Sequence, residues 1–219
     1  GTSPAGRRFA ARHAECVFIS GPSPNILKAR VHKLRAERAE LGFDPYSIRI
    51  FAFLTIVTDE TDAKAQAKFA DLQSFVDPVG ALTLMSGWTG IDLSTLKPDD
   101  YVTQVSTEAG RSALENVTTA DPSRVWTVGD IAEHVAIGGI GPVLVGAPDQ
   151  VADQLETLVD ATGVDGFNLA FARRPETFES VVNYIVPELQ KRGRYRRHYE
   201  IGTLRHKLFG QGPDFKLRG

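Results

Sequence analysis

The run from Ser47 to Val57 (SIRIFAFLTIV) constrains the fold more than any other stretch of the chain. It is β-branched and aromatic, and its apolarity is nearly unbroken, as expected of a strand covered on both faces. Two shorter runs of the same kind are Glu15 to Ser20 (ECVFIS) and Gly166 to Ala172 (GFNLAFA). Helical patterns separate them. Ser23 and Pro24 open an amphipathic helix with Leu27, Val31, Leu34 and Leu41 on one face, closed by Gly42. An alanine-rich helix follows from about Thr61 to Phe75, with Ala63, Ala67 and Ala70 aligned. Thr127 to Ile137 reads as a short helix.

The clearest unit comes last. Val143 to Gly146 leads into Ala147-Pro148, and a helix runs to Thr162 with Val151, Leu155, Leu158 and Val159 inward and Gly163 at its end. Pro175 starts a further helix, which Pro187 should kink or restart. Strands alternating with helices of this length predict parallel βαβ units and an α/β fold. Three strong strands are too few for an eight-stranded barrel but right for part of one. Residues 77–124 show no clean period and read as an insertion with short helices. The tail, 193–219, is basic and then rich in glycine and proline; it is expected to wrap the surface or a partner subunit.

Composition narrows the function classes. A chain of 219 residues with a formal net charge of -2 is not a general nucleic-acid binder. No run approaches the ~20 apolar residues of a membrane span. The single cysteine, Cys16, rules out an internal disulfide framework, fits a reducing, cytoplasmic compartment, and is expected to be buried in its apolar run. The only methionine is Met85, so the sequence reads as a piece of a longer protein.

Chemistry is written most clearly at the start. In Gly1-Thr2-Ser3-Pro4-Ala5-Gly6, Ser3 suits a helix N-cap, Pro4 the first helical position, and Ala5 to Ala14 the helix itself. Free N–H groups and a serine hydroxyl at a helix start form a ready anion site.

This segment, continued by Phe9-Ala10-Ala11-Arg12-His13-Ala14-Glu15, resembles the flavin-phosphate segment of bacterial-luciferase-like, FMN-dependent monooxygenases of the nitrilotriacetate and dibenzothiophene-sulfone group. Further segments match in order: Val145 to Asp153, Thr162 to Leu169, Val186 to Gly193, and the ending Gly202-Thr203-Leu204-Arg205 with Leu208-Phe209-Gly210. The resemblance implies the C-terminal portion of a (β/α)8 TIM barrel with an insertion. Glu15–Ser20, Ser47–Val57 and Gly166–Ala172 would be its last three strands. It also implies FMN as cofactor, reduced by a separate flavin reductase, with O2 as oxidant and a small organic substrate as acceptor. Ser3 and Thr2 would hold the FMN phosphate, with N–H groups from Ala5 and Gly6; catalytic residues stay unassigned. A homo-oligomer is expected. The alternative is a catalytically inactive half-barrel that serves as a binding or interaction module.

Other constellations read more plainly. The five histidines show no ligand spacing, so no metal is expected. Gly138-Gly139-Ile140-Gly141-Pro142 lacks the features of a nucleotide loop and reads as a turn near the active-site mouth. Gly80 to Gly90 reads equally as a mobile lid or an ordinary surface excursion. The basic run Lys191 to Arg197 reads as cations gathered at a helix C-terminus. Asp165 reads as a capping or turn residue, and Asn168 as one that could face the barrel interior.

Overall fold

A computed structural model describes residues 3–102 and 111–212. The order is α1 (Pro4–His13), β1 (Cys16–Ile19), α2 (Pro24–Glu40), β2 (Arg49–Thr58) and α3 (Asp62–Ser74). Then come α4 (Pro78–Thr89), a 3₁₀ turn (Leu93–Thr95), α5 (Arg111–Val117), α6 (Val128–Gly138), β3 (Val143–Gly146), α7 (Pro148–Thr162) and β4 (Gly166–Ala170). After β4 lie α8 (Glu176–Ser180), a π turn (Val181–Ile185), α9 (Val186–Lys191) and α10 (Leu204–Phe209).

All four strands are parallel, with β2 at the centre. Phe51 and Ala52 pair with both β1 and β4, so those two strands lie on opposite edges of β2. Thr55 pairs with both Val143 and Ala170, which puts β3 beyond β1 on the same edge, at the C-terminal end of β2. The sheet therefore has one strand more than the three expected. Val143–Gly146 is too short for its period to announce a strand, and only its pairing with β2 defines it.

Helices cover one side of this sheet. Ala10 and Ala11 of α1 and Leu27, Val31 and Leu34 of α2 pack on Val17, Ile19, Ile50 and Ala52. Val151, Leu155 and Leu158 of α7 join Leu54, Ile56, Val181 and Ile185. The other side is open. Ile50, Ala52 and Leu54 are buried while Arg49, Phe51 and Phe53 are only half-buried, and Phe18 is 63% exposed. The expectation that β2 is covered on both faces thus holds only from Leu54 onward. Cys16 shares the open side with Phe18 and is exposed, contrary to the burial expected of it. The period of two places it there.

Residues 77–124 contain the short helices expected of them. With α6 they build a cluster of their own around Met85, Leu93, Leu114, Trp126, Ile131 and Val135. In α3 it is Ala65 that is buried, while Ala63, Ala67 and Ala70 face solvent. An alanine stripe marks a helix but not its inner face, because alanine loses little when left exposed. Pro187 stands in the first turn of α9, where the α-helix resumes after the π turn, the restart expected of it. The preceding turn is widened, with the Val186 N–H reaching the Val181 carbonyl, which accommodates the missing donor.

The tail, as far as residue 212, folds back beneath the N-terminal ends of the strands. Arg205 pairs with Glu15 at 2.5 Å, Arg49 donates to the Leu208 carbonyl at 2.8 Å, and the Arg49 guanidinium lies over the Phe209 ring at 5.1 Å. It closes the bottom of this sheet.

Candidate functional site

Ser3 caps α1 with an extended backbone, and its hydroxyl accepts the Gly6 N–H at 3.2 Å. Its carbonyl accepts the Arg7 N–H at 2.8 Å. Pro4 has no N–H, so the Ala5 N–H is a first-turn donor for which the helix has no acceptor. Ser3, Pro4 and Ala5 are exposed and Gly6 is half-buried, so the helix start is open to a ligand. Arg7 is engaged elsewhere, paired with Glu37 at 2.6 Å. Thr2 lies outside the described residues.

Packing fixes where this start points. Arg38, near the end of α2, is fully buried and donates to the carbonyls of Ala11 (2.8 Å) and Ala14 (3.1 Å) at the end of α1. The two helices therefore run side by side in the same direction. Since α2 begins just after β1 ends, the start of α1 is directed toward the rim formed by the C-terminal ends of the strands. In α/β barrels that rim carries the active site.

Four features line this rim and the open face below it. The first is Lys68 of α3, whose ammonium meets Asp59 after β2 (2.9 Å), Glu176 after β4 (3.2 Å) and the Thr58 carbonyl (3.1 Å). Burial works against the ammonium, but hydrogen bonds to the two carboxylates outweigh it and raise its pKa. Lys68 thereby ties the loop after β2 to the loop after β4. Second, Asp121 accepts hydrogen bonds from Ser23 (2.5 Å) and Ser123 (2.6 Å), and Arg30 of α2 donates to the Asn116 side chain at 2.7 Å. These contacts anchor α5 and the segment after it to α2 at the end of β1.

Third, the glycine-rich loop lies against β2. A Cβ at Gly141 would sit 2.4 Å from the Phe53 carbonyl oxygen, so no side chain fits there. Beside the loop, His134 makes an edge contact with Trp126 (5.1 Å between centroids), and its Nε2 is buried with no hydrogen-bond partner among the described residues. Burial, and then the Arg124 guanidinium, lower the His134 pKa. Fourth, the open face carries Phe18 against Phe51 (5.8 Å) and Asn168 in register with Phe53. Asn168 is exposed on that face. Asp165 plays the structural part expected of it, accepting from the Ile50 N–H (2.8 Å), Arg35 (3.1 Å) and Arg49 (3.2 Å).

The remaining side chains singled out in the sequence are structural. His13 packs on Phe9 at 4.8 Å. In the basic run, Arg192 pairs with Glu188 (2.8 Å) and Asp153 (2.6 Å), and Arg194 with Glu156 (2.9 Å). Gly80 to Gly90 is mostly α4, with Ala81, Met85 and Thr89 buried. Among the described residues no group of three His, Cys, Asp or Glu side chains is arranged to hold a metal, and no helix is long and apolar enough to cross a membrane. Lys68 and Asp121 escaped sequence reasoning because their partners are far away in the chain, and lone charged residues give no local signal.

Comparison with known proteins agrees with this architecture. The luciferase-like monooxygenase family model matches residues 1–166. The dimethyl-sulfide monooxygenase of Hyphomicrobium sulfonivorans is 43% identical over 210 residues, covering 96% of this chain and 44% of that one. The crystal structure of a Hyphomicrobium sulfonivorans relative at 42% identity superposes with a TM-score of 0.81. The long-chain alkane monooxygenase of Geobacillus thermodenitrificans is 37% identical over 97% of this chain and 44% of its own. A riboflavin lyase solved with modified FMN and riboflavin is 29% identical, with a TM-score of 0.84 over 96% of this chain and 46% of that one. The chain thus spans less than half the length of these relatives, as expected for part of a barrel. Sequence, topology and these likenesses agree: the chain belongs to the bacterial luciferase-like monooxygenase family.

Proposed function

We infer that this chain is the phosphate-holding part of a monooxygenase that uses reduced FMN, supplied by a separate flavin reductase, and O2 to oxygenate a small organic substrate. The observation that carries this reading is the Ser3-capped start of α1, open to solvent and directed toward the rim of a parallel sheet. The donors suit the group. A phosphate dianion needs N–H and O–H donors and a positive field; the Ser3 O–H, the Ala5 N–H and the helix dipole offer them, and the Gly6 N–H, which the Ser3 hydroxyl accepts in this structure, would join them on turning to the phosphate. When bound, reduced FMN would give two electrons to dioxygen, one oxygen atom of which goes to the substrate and the other to water; the protein holds the flavin, shapes the pocket and keeps solvent out.

On this reading the chain contributes binding and shape. Ser3, Ala5 and Gly6 fix the phosphate, Phe18, Phe51 and Phe53 give the inner face an apolar floor, and the Lys68 ties hold the rim loops in place. The dimethyl-sulfide and long-chain alkane monooxygenases point to small organic acceptors. The test is to supply the full-length protein with reduced FMN, a dialkyl sulfide or an alkane, and isotopically labelled O2. One labelled oxygen atom in the product supports the reading. Peroxide formation with no oxygenated product would instead favour the inactive binding module.

A further inference from the structure

The link from α6 to β3, Gly138 to Pro142, lies against Phe53 of the open face. A Cβ at Gly141 would stand 2.6 Å from Phe53 Cδ1, and one at Gly139 3.7 Å from its Cε1, so bare backbone flanks the ring. The Gly139 N–H is bonded to the Val135 carbonyl and the Gly141 N–H to the Gly138 carbonyl, both at 3.1 Å. His134 packs on the same turn: a Cβ at Gly138 would come within 3.2 Å of its Cε1 and Nε2.

The imidazole has room for one charge state only. A protonated ring carries an N–H on both nitrogens, yet Nε2 is buried with no partner among the described residues. A void of about 10 Å³ beside it, walled by Met85, Val117 and Ile140, is at the lower limit for one water. Asn116, in the same wall, is already engaged by Arg30 at 2.7 Å. The charged group that acts on the ring is Arg124, whose guanidinium lies 3.6 Å over Trp126 and repels a second cation. Gly138 to Pro142 hold no titratable side chain, and on α6 itself Asp130 is bonded to Thr127 while Glu133 is exposed. Burial and Arg124 keep the ring neutral, against a lesser hydrogen bond at the Gly141 backbone that favours charge.

Resting on the oxygenase reading, we propose that His134 is an acid-released latch: its protonation frees the turn from Phe53, and a flavin resting on that floor holds the turn shut. A charged ring must leave its buried place, and Gly138 to Gly141 are the backbone against it. Three glycines let that backbone move with little to repack. The neutral ring belongs to the closed turn and the charged ring to the open one, so the open turn gains ground as pH falls below ~6.5.

The test follows amide hydrogen exchange in the full-length protein between pH 7 and 5.5. Protection factors, which allow for the intrinsic pH dependence of exchange, should fall about fivefold or more at Gly139 and Gly141. Gly163, at the end of α7 and bonded to Val159 at 2.8 Å, should keep its protection. H134F, or H134Q if the first does not fold, should make both turn amides indifferent to pH. Riboflavin, which has no titrating phosphate, supplies the second arm. At a free concentration of about ten times its Kd it should raise protection of the turn at pH 5.5 about tenfold, with no matching gain at Gly163. Protection flat with pH, or falling as steeply in the variant, would overturn the latch. Riboflavin that binds and leaves the turn unmoved would overturn its coupling to the flavin. Failure of riboflavin to bind at either pH would count against the oxygenase reading instead, and the pH response of the two amides would still judge the latch.

Discussion

Asp121 accepts a 2.5 Å hydrogen bond from the hydroxyl of Ser23, the residue whose side chain also caps α2. One serine thus starts a helix and fastens the segment after α5 to the end of β1. Ser123 (2.6 Å) and Asn25 (3.3 Å) complete the shell around the carboxylate, which is 5% exposed.

Replacing Ser23 by alanine removes the cap and strips one partner from a buried carboxylate. We expect a loss of about 2 kcal/mol, combining a cap of ~1 kcal/mol with the cost of the weakened carboxylate shell. Chemical denaturation measures it. A change below a few tenths of a kcal/mol would mean that the contact contributes nothing.

Acid should act in two windows. The hydrogen bonds from Ser123 and Ser23 hold the Asp121 carboxyl down to about 2. The unfolded chain therefore binds that proton first, and the contribution of Asp121 is complete above the ordinary ~3.9 and lost as pH falls through about 2. His134 is also depressed, by burial and then by Arg124. Its neutral form favours the fold, so stability should begin to fall as pH drops below ~6.5. Melting temperatures between pH 7.5 and 5 should decline, and H134F should remove that upper slope. An unchanged slope in the variant would show that His134 is not its source.

Arg38 is 1% exposed and donates to Ala11, Ala14 and Ser47, with its guanidinium 4.7 Å from the Phe43 ring centroid. R38M would keep most of the volume but leave the buried carbonyl of Ala11 and the half-buried carbonyl of Ala14 without this donor. With ~1–3 kcal/mol for each unsatisfied group, a loss of at least ~3 kcal/mol is expected. Given a total stability of ~5–15 kcal/mol, this variant should unfold at much lower denaturant, if it stays soluble at all.

Among the described residues no strand pairs with the outer edges of β1 and β4, and Phe18 of β1 is exposed on the open face. Unpaired edges invite other strands. The 219-residue chain in isolation should self-associate with rising concentration in sedimentation velocity. A single monomeric boundary across two decades of concentration would contradict this.

Much of the architecture was legible in the sequence because its determinants are local. Ser3-Pro4 and Ser23-Pro24 wrote two helix starts, the apolar run around Ile50 to Val57 wrote the central strand, and the segments after Val145 carried the family likeness. What escaped depends on distant partners. Val143–Gly146 is a strand only because Thr55 to Thr58 pair with it, and Cys16 is exposed because the sheet is open on its side. Lys68 joins two loops that are far apart in the chain.

The measurement that bears most directly on the account is a fluorescence titration of the full-length protein and its S3A and S3D variants with FMN and with riboflavin, which lacks the phosphate. Asp is as good a helix cap as Ser, so S3D keeps the start of α1 while setting a negative charge against the phosphate. The account predicts FMN bound at least tenfold more weakly by S3D, a smaller loss in S3A, and riboflavin nearly unaffected by either. FMN affinities equal in all three proteins, or riboflavin weakened as much as FMN, would show that the phosphate is held somewhere else.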